Sequence, residues 1–326
     1  MGSRAQVLGV ALALLGCETP FNPKGEFREQ LVVYAVLSSD SDTTWARVYR
    51  TYNPPGFDPF EVTTDNPVTD AVVRLTSGSS EWTFADTLLP RADQSRYQSP
   101  IAAYVLTGLS VTPGTEYRLD VQSPSAGSVN AVVTVPGTGY LSVGNSYVLQ
   151  NPTLSDDNIS VTSMISPTTW GYSVRLYLIA QVWKGGAPQT VQKEVPLSVS
   201  EIIDCQNLIG EYPRLRRRES DSPTEEHIQI YENVAYRWTI VNLRSDPSID
   251  SIRFQRAEFE FLETDPDLYA YYNIASGFRD EFTLRTDEPD YSNIPSGRGV
   301  FGAFVRQRIA YAVPSDLGSS LTCQGQ

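Results

Sequence analysis

The sequence has very little histidine: His227 is the only one among 326 residues. A Ser-His-Asp or Cys-His nucleophile system would have to use this residue, and no nucleophile elbow lies near it. The sequence also lacks the ligands of a usual His/Cys zinc site, and it has no glycine loop that could cradle phosphate. We therefore expect no catalytic histidine, no metal and no cofactor, and we place His227 on the surface at the start of a strand.

Positive charge is also in short supply, with 25 Lys and Arg against 38 Asp and Glu and a formal net charge of −13. A surface this acidic does not attract nucleic acid through a general electrostatic field, so we expect no nucleic-acid partner. The arginine-rich run at residues 214–218 is the exception. It could dock an acidic partner or lipid headgroups. Alternatively, it is a solvated loop that flanking acids such as Glu211, Glu219 and Glu225 partly neutralise.

The sequence lacks a hydrophobic run of about 20 residues, the length that a membrane-spanning helix needs. Its apolar run at residues 7–16 follows Arg4 and ends at Cys17, as in a secretory signal with small residues at the cut. The Leu-Leu-Gly-Cys ending resembles the bacterial lipobox, in which the cysteine is lipidated and becomes the first residue of the mature protein. We expect a lipoprotein signal peptide at residues 1–16, lipidation of Cys17 and a polar tether at residues 17–29. The alternatives are an ordinary signal peptide with a chance cysteine, or a buried segment.

Only two other cysteines are present, Cys205 and Cys323. An exported chain meets oxidising conditions, so two leftover cysteines suggest a disulfide. The bridge would close a loop of about 120 residues and would contribute roughly 4–5 kcal/mol in the chain-entropy model. Two free thiols are the alternative.

Short runs rich in β-branched and aromatic residues, separated by Gly, Pro and Ser clusters, fill residues 30–136 and predict a β-sandwich. Within them, Pro113 to Tyr117 reads Pro-Gly-Thr-Glu-Tyr, which is similar to the E–F corner of fibronectin type III modules. In that corner the tyrosine hydroxyl bonds back to the upstream backbone. We therefore predict an Ig-like or fibronectin-III-like sandwich, with Tyr117 in a structural role and a domain boundary at the Pro-Gly-Thr-Gly stretch that begins with Pro136.

Residues 137–326 predict a larger β-rich domain with one or two short helices. Alternating apolar residues predict four longer strands, and a break in phase between Phe254 and Ala257 predicts a bulge. The four strands span residues 172–183, 227–243, 251–262 and 300–313. Asp265 as N-cap and Pro266 as first helical residue predict one helix. Residues 198–208 are interpreted as a second short helix.

Carboxylates are abundant, and a glycosidase-like pair would need two of them to converge in space. None of the clusters has the spacing of an EF-hand calcium loop, so solvated loop acids are the interpretation that we favour. The clusters are Asp40 and Asp42; Asp246 and Asp250; Asp265 and Asp267; and Asp287, Glu288 and Asp290. Among them, Asp265 already has a role as a helix cap.

The segment at residues 291–304 contains Ser-Asn-Ile followed by Gly-Arg-Gly-Val-Phe-Gly. It resembles a segment near the C-terminus of a family of uncharacterised bacterial lipoproteins, a "domain of unknown function" class common in Bacteroidota and their relatives. Genes for such proteins often lie near TonB-dependent outer-membrane receptors, so the resemblance implies an accessory role in the cell envelope. It supplies no catalytic residues. Physically, Gly297, Gly299 and Gly302 predict a turn and a close-packed start of a strand, with a ligand loop as the alternative.

These observations favour a non-enzymatic accessory or binding lipoprotein that is held at the outer membrane by its N-terminal lipid and works with a TonB-dependent receptor. The alternatives are an adhesion or matrix-binding module and, third, an envelope hydrolase with paired carboxylates. An exposed aromatic side chain in a concave surface would favour ligand capture. A flat Tyr-rich face without a cleft would favour protein docking, and two carboxyls about 5–10 Å apart in a cleft would favour the hydrolase.

Overall fold

The computed structural model describes residues 26–53, 64–204, 207–220, 225–274 and 291–322. Structural statements below refer to these residues. They form a mainly β fold with few short helices, as predicted. Cys17, Cys205 and Cys323, the acids at residues 287–290 and most of the predicted tether lie outside the described residues.

The first part of the chain supplies eight strands. They are β1 (Leu31–Ser38), β2 (Thr43–Arg50), β3 (Val72–Ser77), β4 (Ser80–Thr83), β5 (Ala85–Leu89), β6 (Ile101–Thr107), β7 (Glu116–Ser123) and β8 (Gly127–Thr134). The sheet β4-β3-β7-β8 packs against the β1-β2-β6-β5 part of a nine-stranded sheet. Inward-facing residues that alternate along these strands form one apolar core, as expected for two packed sheets.

The rest of the chain supplies ten strands and three helices. The strands are β9 (Tyr140–Gly144), β10 (Ile159–Ile165), β11 (Gly171–Lys184), β12 (Ala187–Val195), β13 (Ser198–Ile202), β14 (Leu208–Glu211), β15 (Arg216–Arg217), β16 (Glu225–Tyr231), β17 (Ser251–Thr264) and β18 (Arg298–Ala312). The helices are α1 (Tyr147–Gln150), α2 (Asn233–Arg244) and α3 (Pro266–Ile274). A second core lies between β11 and β17 on one side and the β16-β10-β9 sheet with α2 on the other.

The nine-stranded sheet joins the two parts of the chain. Its order is β12-β11-β17-β18-β1-β2-β6-β5, with β15 paired to the edge of β11. The last strand, β18, lies parallel to β1, with Val33 opposite Gly299, and it is antiparallel to β17. The change from the first core to the second falls between Val135 and Leu141, yet β18 contributes side chains to the first core and Ile309 and Tyr311 pack against the second. The two parts therefore share one sheet.

Three local predictions are confirmed. Thr112 donates its N–H to the Tyr117 hydroxyl at 3.1 Å, which is the expected corner bond, and the Tyr117 ring is buried. Ile179 pairs with Arg256 and Ala180 pairs with Phe254, so β17 carries the predicted bulge between these partners. The last strand lies within one or two residues of its predicted limits.

Two local predictions are wrong. Residues 198–208 are not a helix, because β13 and β14 form a hairpin in which Asp204 accepts the N–H of Asn207 at 2.8 Å. A short polar side chain that closes a turn in this way competes with helix formation. Residues 227–243 are not one strand: β16 ends at Tyr231 and α2 begins at Asn233. Apolar residues recur on both sides of this junction, and they hide the change from alternation to helical spacing.

Candidate functional site

An open cleft of about 930 Å³ lies where the two parts of the chain meet. One wall is the outer face of β8, with Val132 and Thr134, and the opposite walls are residues 167–170, residues 217–220 and the start of α3. The volume is near the upper end of the range typical of small-molecule sites, about 300–1,000 Å³, and such sites prefer the junctions between domains. This cleft is the candidate binding site.

Trp170 provides the aromatic surface of the cleft. Its backbone is fixed on both sides, because its N–H donates to Thr264 at 2.9 Å and its carbonyl accepts from Arg218 at 2.8 Å. The indole remains 41% exposed. The Arg217 guanidinium lies over the ring, 4.5 Å from its centre, as in a cation–π contact. The result is a firmly held, solvent-facing stack of two planar groups.

The arginine-rich run does not act as one patch. Since β15 alternates its side chains, Arg217 faces Trp170, whereas Arg216 lies close enough to His227 to help lower its pKa. Arg218 donates to the carbonyl of Pro167 and lies 3.9 Å from Glu225. The predicted neutralisation by flanking acids is therefore seen at Arg218, while Arg217 pairs with no carboxylate among the described residues.

His227 is half-buried within β16 rather than on the surface. Its ring packs edge-on against Tyr172, with 5.7 Å between the ring centres. Burial is the main cause that lowers the pKa of His227, and the nearby Arg216 charge lowers it further. The expected surface position is thus corrected, because the ring covers an aromatic side chain of β11, which belongs to the facing sheet.

Asp265 forms the floor of the cleft and is fully buried. Its Oδ1 atom accepts the N–H of Leu268 at 2.9 Å, which confirms the predicted N-cap of α3. Its Oδ2 atom is buried and has no hydrogen-bond partner in the described part of the chain. Burial raises the pKa of Asp265 well above its usual value, and the Asp267 charge adds to this rise. Asp267 accepts the hydroxyl of Tyr291.

Glu263 holds the cleft wall in place, and the sequence analysis missed it. Its carboxylate accepts the N–H of Gly139 at 2.6 Å, the N–H of Ser166 at 3.0 Å and the hydroxyl of Thr169 at 2.9 Å. Burial raises the pKa of Glu263, and these three bonds oppose the rise. The missed signal was its position: Glu263 continues the inward-facing series of Phe259 and Phe261, where an acid is unexpected.

The described members of the other predicted acid clusters lie away from the cleft. Asp40 belongs to a network on the outer face of β17 and β18, where Arg306 contacts both Asp40 at 3.1 Å and Glu260 at 3.5 Å. Asp246 lies 3.7 Å from Lys184, and Asp250 accepts the N–H of Gly186. Among the His, Cys, Asp and Glu residues that the structure describes, no group of three or more could hold a metal ion.

The pKa of Asp265 leads to a prediction about pH. A raised folded-state pKa means that the folded chain binds this proton more tightly than the unfolded chain. The stability due to Asp265 is therefore present below its unfolded pKa and lost as pH rises through its folded pKa. Asn cannot ionise but keeps the cap oxygen. We expect the stability of Asp265→Asn relative to wild type to increase between pH 4 and pH 8, as measured by urea unfolding.

The matched control is Asp265→Ala, which loses the cap at every pH and should cost about 1 kcal/mol. Glu263 is common to all three proteins, so its own titration cancels. A relative stability of Asp265→Asn that falls with rising pH would contradict the buried, proton-binding environment described for this carboxyl.

The described residues define a mainly β protein whose nine-stranded sheet unites a sandwich with a second β-rich core. No helix among them is long and apolar enough to cross a membrane. The chain belongs to the family described as "Domain of unknown function (DUF4249)", which matches residues 18–309. The expectation of an uncharacterised family is thereby confirmed. A comparison with curated proteins gave no match.

Proposed function

We propose that this chain is a lipid-anchored accessory protein of the cell envelope, held at the outer membrane through Cys17, that binds a ligand in the cleft of Trp170 and Asp265. It works beside a TonB-dependent receptor and carries out no catalysis itself. The signal-like segment before Cys17 and the chain's resemblance to a family of bacterial lipoproteins support this location.

The cleft is the observation that carries the binding function. A half-exposed indole, a stacked guanidinium and a buried carboxyl oxygen with no partner converge in one concave site. A few convergent polar groups in a well-formed pocket are typical of ligand sites. A buried polar atom without a partner costs free energy, and a bound ligand that pairs with it would remove that cost.

The anchor is tested by Cys17→Ala. We expect the outer-membrane fraction to fall by more than about ten-fold, because the acyl chains supply the attachment there and no other strong attachment is expected from so acidic a surface. The measurement is quantitative immunoblotting of membrane and soluble fractions, with the N-terminal acyl mass read by mass spectrometry. Cys205→Ala is the matched control and should remain on the membrane.

Peptide mapping tests the proposed bridge between Cys205 and Cys323. Non-reducing peptide mapping of the mature protein should find the two cysteines linked, and two alkylated thiols would refute the bridge.

The receptor partner is tested by affinity purification from detergent-solubilised outer membranes. Recovery without any TonB-dependent receptor would count against the accessory role.

We also propose that the sandwich is Ig-like. If β1 to β8 are lettered A, B, C, C′, D, E, F and G, the two sheets read A-B-E-D and C′-C-F-G. The Ig constant-type arrangement is A-B-E-D against C-F-G, and the corner tyrosine lies on strand F in both cases. The strand order and the Tyr117 bond support this assignment.

An adhesion or matrix-binding module is the second candidate. The outer face of the β16-β10-β9 sheet exposes Tyr140, Met164, Ile228 and Ile230. Met164 lies opposite Tyr140, so part of this apolar surface is continuous. Exposed apolar patches of this kind often mark protein contacts. If this face is the functional one, Ile228→Glu would abolish partner recovery while Trp170→Ala would leave it unchanged.

A further inference from the structure

We infer that the cleft binds a neutral saccharide. This inference rests on the proposed binding function and specifies the class of its ligand. It is carried by three features of the cleft: its balance of charges, the unpaired oxygen at its floor and the planar stack on its wall.

The charges that line the cleft favour a neutral ligand. Two guanidinium groups face it, Arg217 and Arg218, together with three carboxyl groups, Glu219, Asp265 and Asp267. An anionic ligand would approach the carboxylates of Glu219 and Asp267, and a cationic ligand would approach two guanidiniums. Like-charge contacts of this kind weaken binding, so the cleft suits neither an anionic nor a cationic ligand well.

The polar groups of the cleft suit hydroxyls. Arg217 offers only hydrogen-bond donors, whereas an ionised carboxylate offers only acceptors and a protonated carboxyl offers both. A hydroxyl can donate and accept, so it suits Arg217 and, in either protonation state, the Oδ2 atom of Asp265. Because Oδ2 is covered, pairing with it requires a small local shift that opens this oxygen to the cleft. A ligand rich in hydroxyl groups therefore suits both of these groups.

The Trp170 stack suits a ring with an apolar face. The indole is 41% exposed, and Val132 on the facing wall is an exposed apolar side chain. Sugar rings present C–H groups on their faces and hydroxyls around their rims. A sugar can therefore bury its face on the indole while its rim bonds to Arg217 and Asp265. A neutral peptide also contains donors and acceptors, but it lacks this separation of an apolar face from a polar rim.

The test is isothermal titration of the purified mature protein. The probes are neutral hexasaccharides of the gluco-, manno-, galacto-, xylo- and N-acetylgluco- series, a hexagalacturonate and a pool of neutral hexapeptides. We expect at least one neutral saccharide to bind with a Kd below about 1 mM. Trp170→Ala should weaken this binding by at least about ten-fold, and Arg217→Met by about three- to ten-fold.

Trp45→Ala is the matched control, since Trp45 is also 41% exposed but lies on β2. It should bind as wild type does, and circular dichroism should show that all variants are folded. Saccharide binding that Trp170→Ala leaves unchanged would overturn the inference. Binding of hexagalacturonate or peptide alone, dependent on Trp170, would overturn the neutral-saccharide class while leaving the binding function in place.

The remaining outcomes also separate the two proposals. If none of the probes binds, the saccharide inference is wrong, and receptor recovery then decides the accessory role by itself. If a neutral saccharide binds and is cleaved, the ligand class stands and the non-enzymatic part of the proposed function is wrong. In that case Asp265→Asn and Asp267→Asn would identify the carboxyl that the reaction needs.

Discussion

Gly299→Ala is expected to destabilise the protein by more than about 4 kcal/mol, enough to prevent accumulation of folded chain. Gly299 has a φ of +103°, a backbone conformation that residues with a Cβ atom rarely adopt. A Cβ atom here would lie 2.0 Å from the carbonyl oxygen of Val33, which is backbone and cannot rotate away. The collision falls within the parallel pairing of β1 with β18, the first and last of the described strands.

Gly186→Ala separates the two causes. Gly186 also has a positive φ, +81°, but an added Cβ would meet nothing within 4 Å. This substitution should lower the free energy of unfolding only by the cost of the positive φ, about 1–2 kcal/mol. The measurement is chemical unfolding followed by circular dichroism, with soluble yield as the readout if Gly299→Ala does not fold. Equal effects for the two variants would show that the close approach of β1 and β18 does not decide stability.

Glu263→Ala is expected to lower the free energy of unfolding by about 3–5 kcal/mol, because it leaves three buried hydrogen-bond donors without their acceptor. Those donors belong to Gly139, Ser166 and Thr169. Glu263→Gln keeps the shape but turns an NH₂ group towards a donor, so we expect a smaller cost of about 1–3 kcal/mol. Urea unfolding gives both values.

Glu226→Gln is the matched control, since Glu226 is exposed on β16, and its effect should stay within about 0.5 kcal/mol. Hydrogen exchange adds a local readout. In Glu263→Gln the amides of Gly139 and Ser166 should exchange faster, while the amides in the centre of β7 should be unaffected. A uniform change over the whole chain would mean that Glu263 does not specifically hold the cleft wall.

The glycine segment at residues 297–302 shows how far local sequence can be interpreted. The predicted turn and close-packed start of a strand are confirmed, since an added Cβ would lie 2.9 Å from Leu31 at Gly297 and 2.9 Å from Leu268 at Gly302. The sequence did not reveal which backbone comes so close. At Gly297 and Gly299 that backbone is β1, whereas the neighbour of Gly302 is the Leu268 side chain of α3. No periodic pattern encodes the pairing of β18 with a strand from the other end of the described residues.

The candidate site was predictable only in pieces. Asp265 was identified as a helix cap from its place before Pro266, because capping depends on immediate neighbours. The arginine run was recognised as a unit, but its division between Trp170, His227 and Glu225 depends on β15 pairing with β11. Trp170 carried no local signal, since a half-exposed aromatic on a loop looks like any other in sequence.

The amino-acid sequence alone determined the mainly β class, the Tyr117 corner, the bulge in β17 and the cap of α3. Each of these depends on alternation, turn chemistry or capping within a few residues. Tertiary structure decided the union of the two cores by β18, the buried position of Glu263 and the cleft itself. The cleft is assembled from β8, two loops and α3, and only the packing of these distant segments brings Trp170, Arg217 and Asp265 to one surface.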